Sequence, residues 1–207
     1  PLISDYVGDR SRVLFIRDIK QRASALTPFL HWDADPYPVL VDGRINYVLD
    51  GYTTSEAMPY SERYDGAGLD PASGLFGLPF NYVRNSVKAV VDAYDGSVDF
   101  YLTDDLYGSK DPIIRAYASA FPELFSPVSD MPPVIREHLR YPEDLFRVQT
   151  SMWGRYHLED PGDFYKQEDG WDVAQNPPLD VRQNGTTATS GERIKPYYLQ
   201  MKLPTER

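Results

Sequence analysis

Residues 87–103 read VKAVVDAYDGSVDFYLT, and this stretch decides the fold. Asp95-Gly96 is the two-residue turn that a type I′ hairpin selects, because both central positions need a positive φ and Asp-Gly adopts it at little steric cost. Taking these two as the loop pairs Tyr94 with Ser97. Every second residue then falls on one face: Val87, Ala89, Val91 and Ala93 on the first strand, Val98, Phe100 and Leu102 on the second. All are apolar, and a one-residue slip would turn them all to the other side, so the pattern specifies an antiparallel hairpin with a buried face. The same register sets Asp92 directly opposite Asp99 on the reverse face. Like charges opposed across strands repel, so a cation, a neighbouring Lys or Arg, or a raised carboxyl pKa must offset them.

Working outward, residues 36–50 (PYPVLVDGRINYVLD) form a first hairpin about Asp42-Gly43, with Leu40 facing Ile45 and Pro38 facing Tyr47. Residues 51–82, rich in Gly, Pro, Ser and Tyr and without a sustained period, form a long irregular excursion of the kind that is usually functional. On the amino-terminal side, Val13, Ile16, Ile19, Ala23, Leu26 and Leu30 recur at helical spacing behind Asp9 or Ser11 as cap, in a helix that ends at Pro28 or soon after. On the carboxyl-terminal side, Asp111-Pro112 opens a helix with Ile114, Tyr117 and Phe121 on one face. Pro132-Pro133 leads another, and Pro142 starts a third that runs through Leu145, Val148, Met152, Trp153 and Tyr156. A short helical turn is expected near Phe164, a mobile linker over residues 182–193, and a strand over residues 197–203.

The chain has 207 residues, ample for a real core, and its 16 Tyr, 9 Phe and 3 Trp argue against disorder. We expect a single domain over residues 1–207. Its formal charge of -10 opposes phosphate backbones and anionic lipid, so nucleic acid is not an expected partner. Without cysteine there are no disulfides, thiol nucleophiles or thiolate metal sites. Apolar runs reach only about four residues, as at 13–16, where a membrane span needs roughly 20. The first residue, Pro1, and the lack of a basic-then-apolar leader read as a piece excised or processed from something longer.

Three stretches carry a resemblance: DPYPVLVDGRINYVLDGYTT at 35–54, NYVRNSVKAVVDAYDGSVDFY at 81–101 and REHLRYPEDLFRVQ at 136–149. Together they resemble the uncharacterised protein family 0182, large bacterial proteins with several amino-terminal membrane helices and a long soluble region outside the membrane. The similarity runs from about Val13 to Tyr198. It implies that this chain is part of that extracytoplasmic region and that its first partner is the rest of the parent membrane protein. The resemblance supplies no catalytic residue, cofactor or substrate. Residues 106–110 depart from the family's pattern as an insertion between strand and helix.

Motifs that carry chemistry are sparse. Calcium at Asp92 and Asp99 is conceivable because hard cations take clustered oxygens, but the segment lacks the spacing and terminal Glu of a calcium loop; solvated or base-paired carboxylates are the plainer reading. His31, His138 and His157 have no zinc spacing, no G-x-S-x-G occurs, and the glycines at 66–68 and 74–77 lack a Walker lysine. Asn184-Gly185-Thr186 matches a glycosylation sequon, which the bacterial resemblance leaves silent. What remains is GYTTSEAMPYSERY at 51–64. Tyr52, Thr53, Thr54, Tyr60 and Tyr64 combine flat amphipathic rings with hydrogen-bonding groups, the composition of recognition surfaces, and Arg84 and Asn85 enter the second hairpin beside them. Rings that simply cover the sheet are the structural alternative.

The expected architecture is α+β, antiparallel hairpins joined in a sheet with helices over the face that carries Val91 and Phe100. The expected role is non-catalytic: assembly, interaction or ligand recognition at the cell envelope, with an envelope protein or carbohydrate as partner and no cofactor. The rival is a hydrolase of an envelope polymer, acting through Glu56 and Glu62 or through a metal at Asp92 and Asp99.

Overall fold

The computed structural model describes residues 11, 14–107, 110–166, 168–175 and 193–199, and its centre is a six-stranded mixed sheet. The first hairpin joins β2 (Tyr37–Val41) to β3 (Arg44–Ser55) in the register read from the sequence, Leu40 facing Ile45 and Pro38 facing Tyr47. Asp42 and Gly43 have φ of 47° and 77°, the paired positive values of a type I′ turn. Pro38 lies on an edge strand, where a residue without an N–H is tolerated and discourages a further strand from adding.

The second hairpin joins β4 (Tyr82–Asp92) to β5 (Val98–Leu102), and its turn differs from the expectation. Val91 pairs with Val98 and Ala89 with Phe100, a register two residues away from the one inferred. Two is the period of a strand, so Val87, Ala89, Val91, Val98, Phe100 and Leu102 still share a face, and only Ala93 is given up to the loop. The cause is local. The Asp92 carboxylate accepts the backbone N–H groups of Tyr94 (2.7 Å) and Asp95 (3.2 Å), and its carbonyl accepts Gly96 N–H at 2.9 Å. Such Asx bonding stabilises a four-residue loop over the two-residue one. Asp99 consequently faces Val90, and the expected Asp92 to Asp99 opposition does not exist.

Two short strands that the sequence pattern does not reveal complete the sheet. β1 (His31–Trp32) pairs antiparallel with the far half of β3, and β6 (Phe125–Pro127) pairs parallel with β5, giving the order β1-β3-β4-β5-β6 with β2 also beside β3. The α+β class holds, with strands mostly antiparallel. By its internal contacts the chain divides into two compact units, residues 1–144 and 145–207.

In the first unit the sheet is covered on both faces. On one, Leu49, Val87, Ala89 and Phe100 pack with Ala23 of α1 (Ile19–Leu26), Trp32, and Ile114 of α3 (Pro112–Ala120), which follows α2 (Asp104–Tyr107). On the other, Val39, Val48, Val90 and Tyr101 pack with Val128 and Met131 around a 3₁₀ turn (Val128–Asp130) and with Ile135 of α4 (Pro133–Glu137). The sequence reading covered only the first face. Trp32 lies so close over the sheet that a Cβ on Gly51 would meet its ring at 2.8 Å.

Helix starts follow their caps. Asp111 caps α3 as expected, whereas α1 begins at Ile19 rather than near Ser11. There the Asp18 carboxylate accepts Gln21 N–H at 2.7 Å, and Arg22 holds residue 16 out of the helix by donating to its carbonyl at 3.2 Å. The excursion after β3 is irregular but anchored: Leu69, Leu75 and Phe80 are buried, and Gly74 N–H donates to Trp32 O at 2.8 Å.

The second unit holds most of α5 (Glu143–Tyr156) and α6 (Pro161–Lys166), both expected from the sequence. Residues 197–199 form no strand; residues 200–203, the sequon at 184–186 and all of the expected linker at 182–193 except Arg193, which bridges to Gln175, lie outside the described residues. Among the described residues no helix is long and apolar enough to cross a membrane.

Candidate functional site

Pairing of β3 with β4 shifts between Gly51 and Tyr52: Gly51 faces Val87 and Tyr52 faces Asn85, which leaves Ser86 as a bulge. A bulge re-aims side chains, and this one has a polar cluster on either side of it.

The first cluster is built on two charges buried inside strands. Lys88 is fully buried and directly faces Asp50, with which it forms an ion pair; its Nζ also donates to Arg140 O at 2.9 Å. Burial pushes the Asp50 carboxyl up to about 6, with Lys88 pulling against it. Next to this pair, the Tyr52 hydroxyl donates to the Asp33 carboxylate, which also accepts the N–H groups of Asp35 (3.1 Å) and Asp144 (3.4 Å). Burial, then the Asp33 and Asp50 charges, hold the Tyr52 phenol well above its ordinary range. Half-buried Lys20 on α1 is lowered by its own desolvation, against the attraction of Asp144 and Asp33.

On the other side of the bulge stands Asp111. Its carboxylate accepts Thr53 Oγ1 (2.5 Å), Ser86 Oγ (2.6 Å), the Tyr82 hydroxyl (2.8 Å) and Ile113 N–H (3.0 Å). Burial works against ionisation, and these four donors outweigh it, so the carboxyl sits below its ordinary range. This is a latch that fastens the start of α3 to β3 and β4.

These clusters absorb three of the residues singled out from sequence: Tyr52, Thr53 and Asn85 point inward, with Asn85 Nδ2 donating to Gly51 O at 3.1 Å. Thr54 and Arg84 are half-buried, and Tyr64 packs on Phe80 with ring centroids 5.5 Å apart. Tyr60 alone of the group is fully exposed. The structure therefore splits the expected surface. Asp33, Asp50 and Lys88 escape the sequence reading, which sees Asp111 only as the opening of its helix, although charges inside the apolar runs VKAVV and YVLDGY are the signal that marks the central pair.

Tyr60 stands at the tip of a stapled turn. Asn81 Oδ1 accepts Met58 N–H at 3.0 Å, Asn81 Nδ2 donates to Met58 O at 2.8 Å, and Ser61 Oγ donates to Asn81 O at 2.8 Å. Below it, Tyr64 and Phe80 exchange backbone bonds of 2.7 and 2.9 Å. Tyr60 has φ 59°, in the left-handed region that tyrosine seldom enters.

The carboxylates considered for catalysis or metal binding fall at two places, the Tyr60 turn and the second hairpin. Glu56 and Glu62 are exposed on this turn. Asp92 is held by Arg44 through Nε (2.9 Å) and Nη2 (2.7 Å), so a basic partner offsets its charge; Asp99 is exposed. Among the described residues no three His, Asp or Glu side chains are grouped to hold a metal ion.

In the second unit, rings gather on the surface. Trp171 lies 4.8 Å from Trp153 and 4.2 Å from His157 between ring centroids, and Tyr156 lies 5.4 Å from Phe164. Trp153 and Trp171 nonetheless remain 58% and 60% exposed, and Tyr165 is 89% exposed.

Comparison with known proteins gives a consistent picture. The chain is 43% identical over 98% of its length to a UPF0182 protein of Frankia casuarinae, 42% over 99% to one of Pelotomaculum thermopropionicum, and 42% over 99% to one of Methanospirillum hungatei. It spans 19%, 20% and 21% of those proteins, about a fifth of each. No solved structure matches it. The pattern of the uncharacterised protein family UPF0182 matches residues 2–207, and the chain belongs to that family.

Proposed function

We propose that this chain is a contact-making domain of a multi-pass membrane protein, lying outside the membrane and serving assembly, interaction or ligand recognition at the cell envelope. The observation that carries the reading is the ring surface of residues 145–207. Large aromatic side chains left this exposed, in a patch rather than singly, mark a surface that meets something else. Relatives about five times longer supply a large body for it to meet. A formal charge of -10 favours a protein over an anionic lipid surface as that body. The extracytoplasmic side and the membrane parent rest on the resemblance carried by residues 35–54, 81–101 and 136–149.

The chain contains no cysteine, which makes a direct test clean. In a cysteine-free full-length parent, Ser119→Cys places a thiol on the exposed surface of α3 and Trp171→Cys places one in the ring patch. A membrane-impermeant maleimide applied to intact cells should label position 119 rapidly and position 171 only after denaturation. Labelling of position 119 only after permeabilisation would refute the extracytoplasmic side, and equal labelling of both positions would refute the contact role.

A further inference from the structure

We infer that the turn tipped by Tyr60 is a preformed anchor that inserts the Tyr60 ring into an apolar pocket with a basic rim on another segment of the same parent protein. This rests on the reading of the chain as a contact domain and adds a second contact to it, in the unit of residues 1–144.

The argument begins with what Tyr60 does not do for this chain. Its ring is fully exposed, so it contributes nothing to the core, and its backbone occupies the left-handed region, where glycine or asparagine would sit with less strain. Folding alone gives no reason for a tyrosine here. The turn is nevertheless held firmly. Asn81 accepts from Met58 and donates to it, while Ser61 ties back to the Asn81 carbonyl, so the tip is fixed from both sides of residue 60.

A large amphipathic ring on a rigid, protruding support is the form an interface anchor takes, because little conformational freedom remains to be lost on binding. Met58, 40% exposed beside it, extends the apolar contact. Residues 56–65 carry Glu56, Glu62 and Asp65, all exposed, with Arg63 the single base. An acidic collar about an apolar tip selects a pocket rimmed by Lys or Arg. The chain accounts for about a fifth of its relatives' length, so most of the surface available to such a tip belongs to the remaining segments of the parent.

The test places the photoreactive residue p-benzoylphenylalanine at position 60, and in a parallel protein at exposed position 119, in the full-length parent kept in its membrane. The expected product at position 60 is an intramolecular crosslink, mapped by mass spectrometry to a parent segment outside residues 1–207, with little product at position 119. Glu56→Lys with Glu62→Lys should lower the yield about tenfold at low ionic strength. Tyr60→Gly in the free chain should leave its urea midpoint unchanged or raised, which separates contact from folding. Crosslinks to lipid, to a second copy, or only within residues 1–207 would overturn the inference, as would no product. If position 60 fails while Trp171→Cys remains protected in the parent, the anchor is wrong and the contact domain stands.

Discussion

Lys88 and Asp50 show how the chain places opposite charges where strands are otherwise apolar. Each would be prohibitive alone inside a sheet covered on both faces, and each is tolerated because the other lies directly across the ladder. Lys88→Met alone should therefore destabilise the chain by about 3–5 kcal/mol, since it strands the Asp50 carboxylate, whereas Lys88→Met with Asp50→Leu should recover most of that loss. Urea denaturation of the two single variants and the double variant measures the cycle. The pair also sets a pH dependence. Asp50 rises from 3.8 to about 6 on folding, so its contribution is fully present below about 3.8 and is lost as pH rises through about 6. The double variant should lack this slope in urea midpoints taken from pH 4 to pH 7. Asp111 runs in the opposite sense: its lowered pKa gives stability that is present above the ordinary carboxylate range and lost as pH falls through the folded value.

At the scale of elements, the Asp111 latch joins α3 to the sheet through side chains from both long strands. Asp111→Ala removes a helix cap and leaves the Thr53 and Ser86 hydroxyls without their acceptor, so a loss of about 2–4 kcal/mol is expected in calorimetry or urea unfolding. Ile114→Ala nearby would lower stability by cavity formation without changing the acid limb, while Asp111→Ala should flatten that limb. The hairpin about Asp42-Gly43 was legible to the residue because a type I′ turn and an alternating pattern fix the same register. In the second hairpin the face was legible and the register was not: Asx bonds from Asp92 lengthen the loop by two residues, a change invisible to a pattern of period two. Two-residue β1 and three-residue β6 are too short to carry any period, and β6 is placed by tertiary pairing alone. The split of the tyrosine group has the same origin. The Ser86 bulge and the β1 pairing turn Tyr52 inward, and no local composition encodes either.

Across the whole molecule, the first unit buries a few charged groups in its interior, and both units leave large rings exposed. The polar groups that converge are consumed in holding helices to strands, while Tyr60, Trp153, Tyr165 and Trp171 face solvent without serving a core. On the proposed function, such a distribution leaves apolar surface for the rest of a longer parent to cover; the relatives are about five times the length of this chain. Hydroxyl-radical footprinting, read by mass spectrometry on the free chain and on a full-length parent, distinguishes the two cases, covered or free. Tyr60, Trp153 and Trp171 should be oxidised readily in the free chain and at least about fivefold more slowly in the parent, with buried Trp32 slow in both. Equal oxidation of Tyr60, Trp153 and Trp171 in the two samples would contradict it.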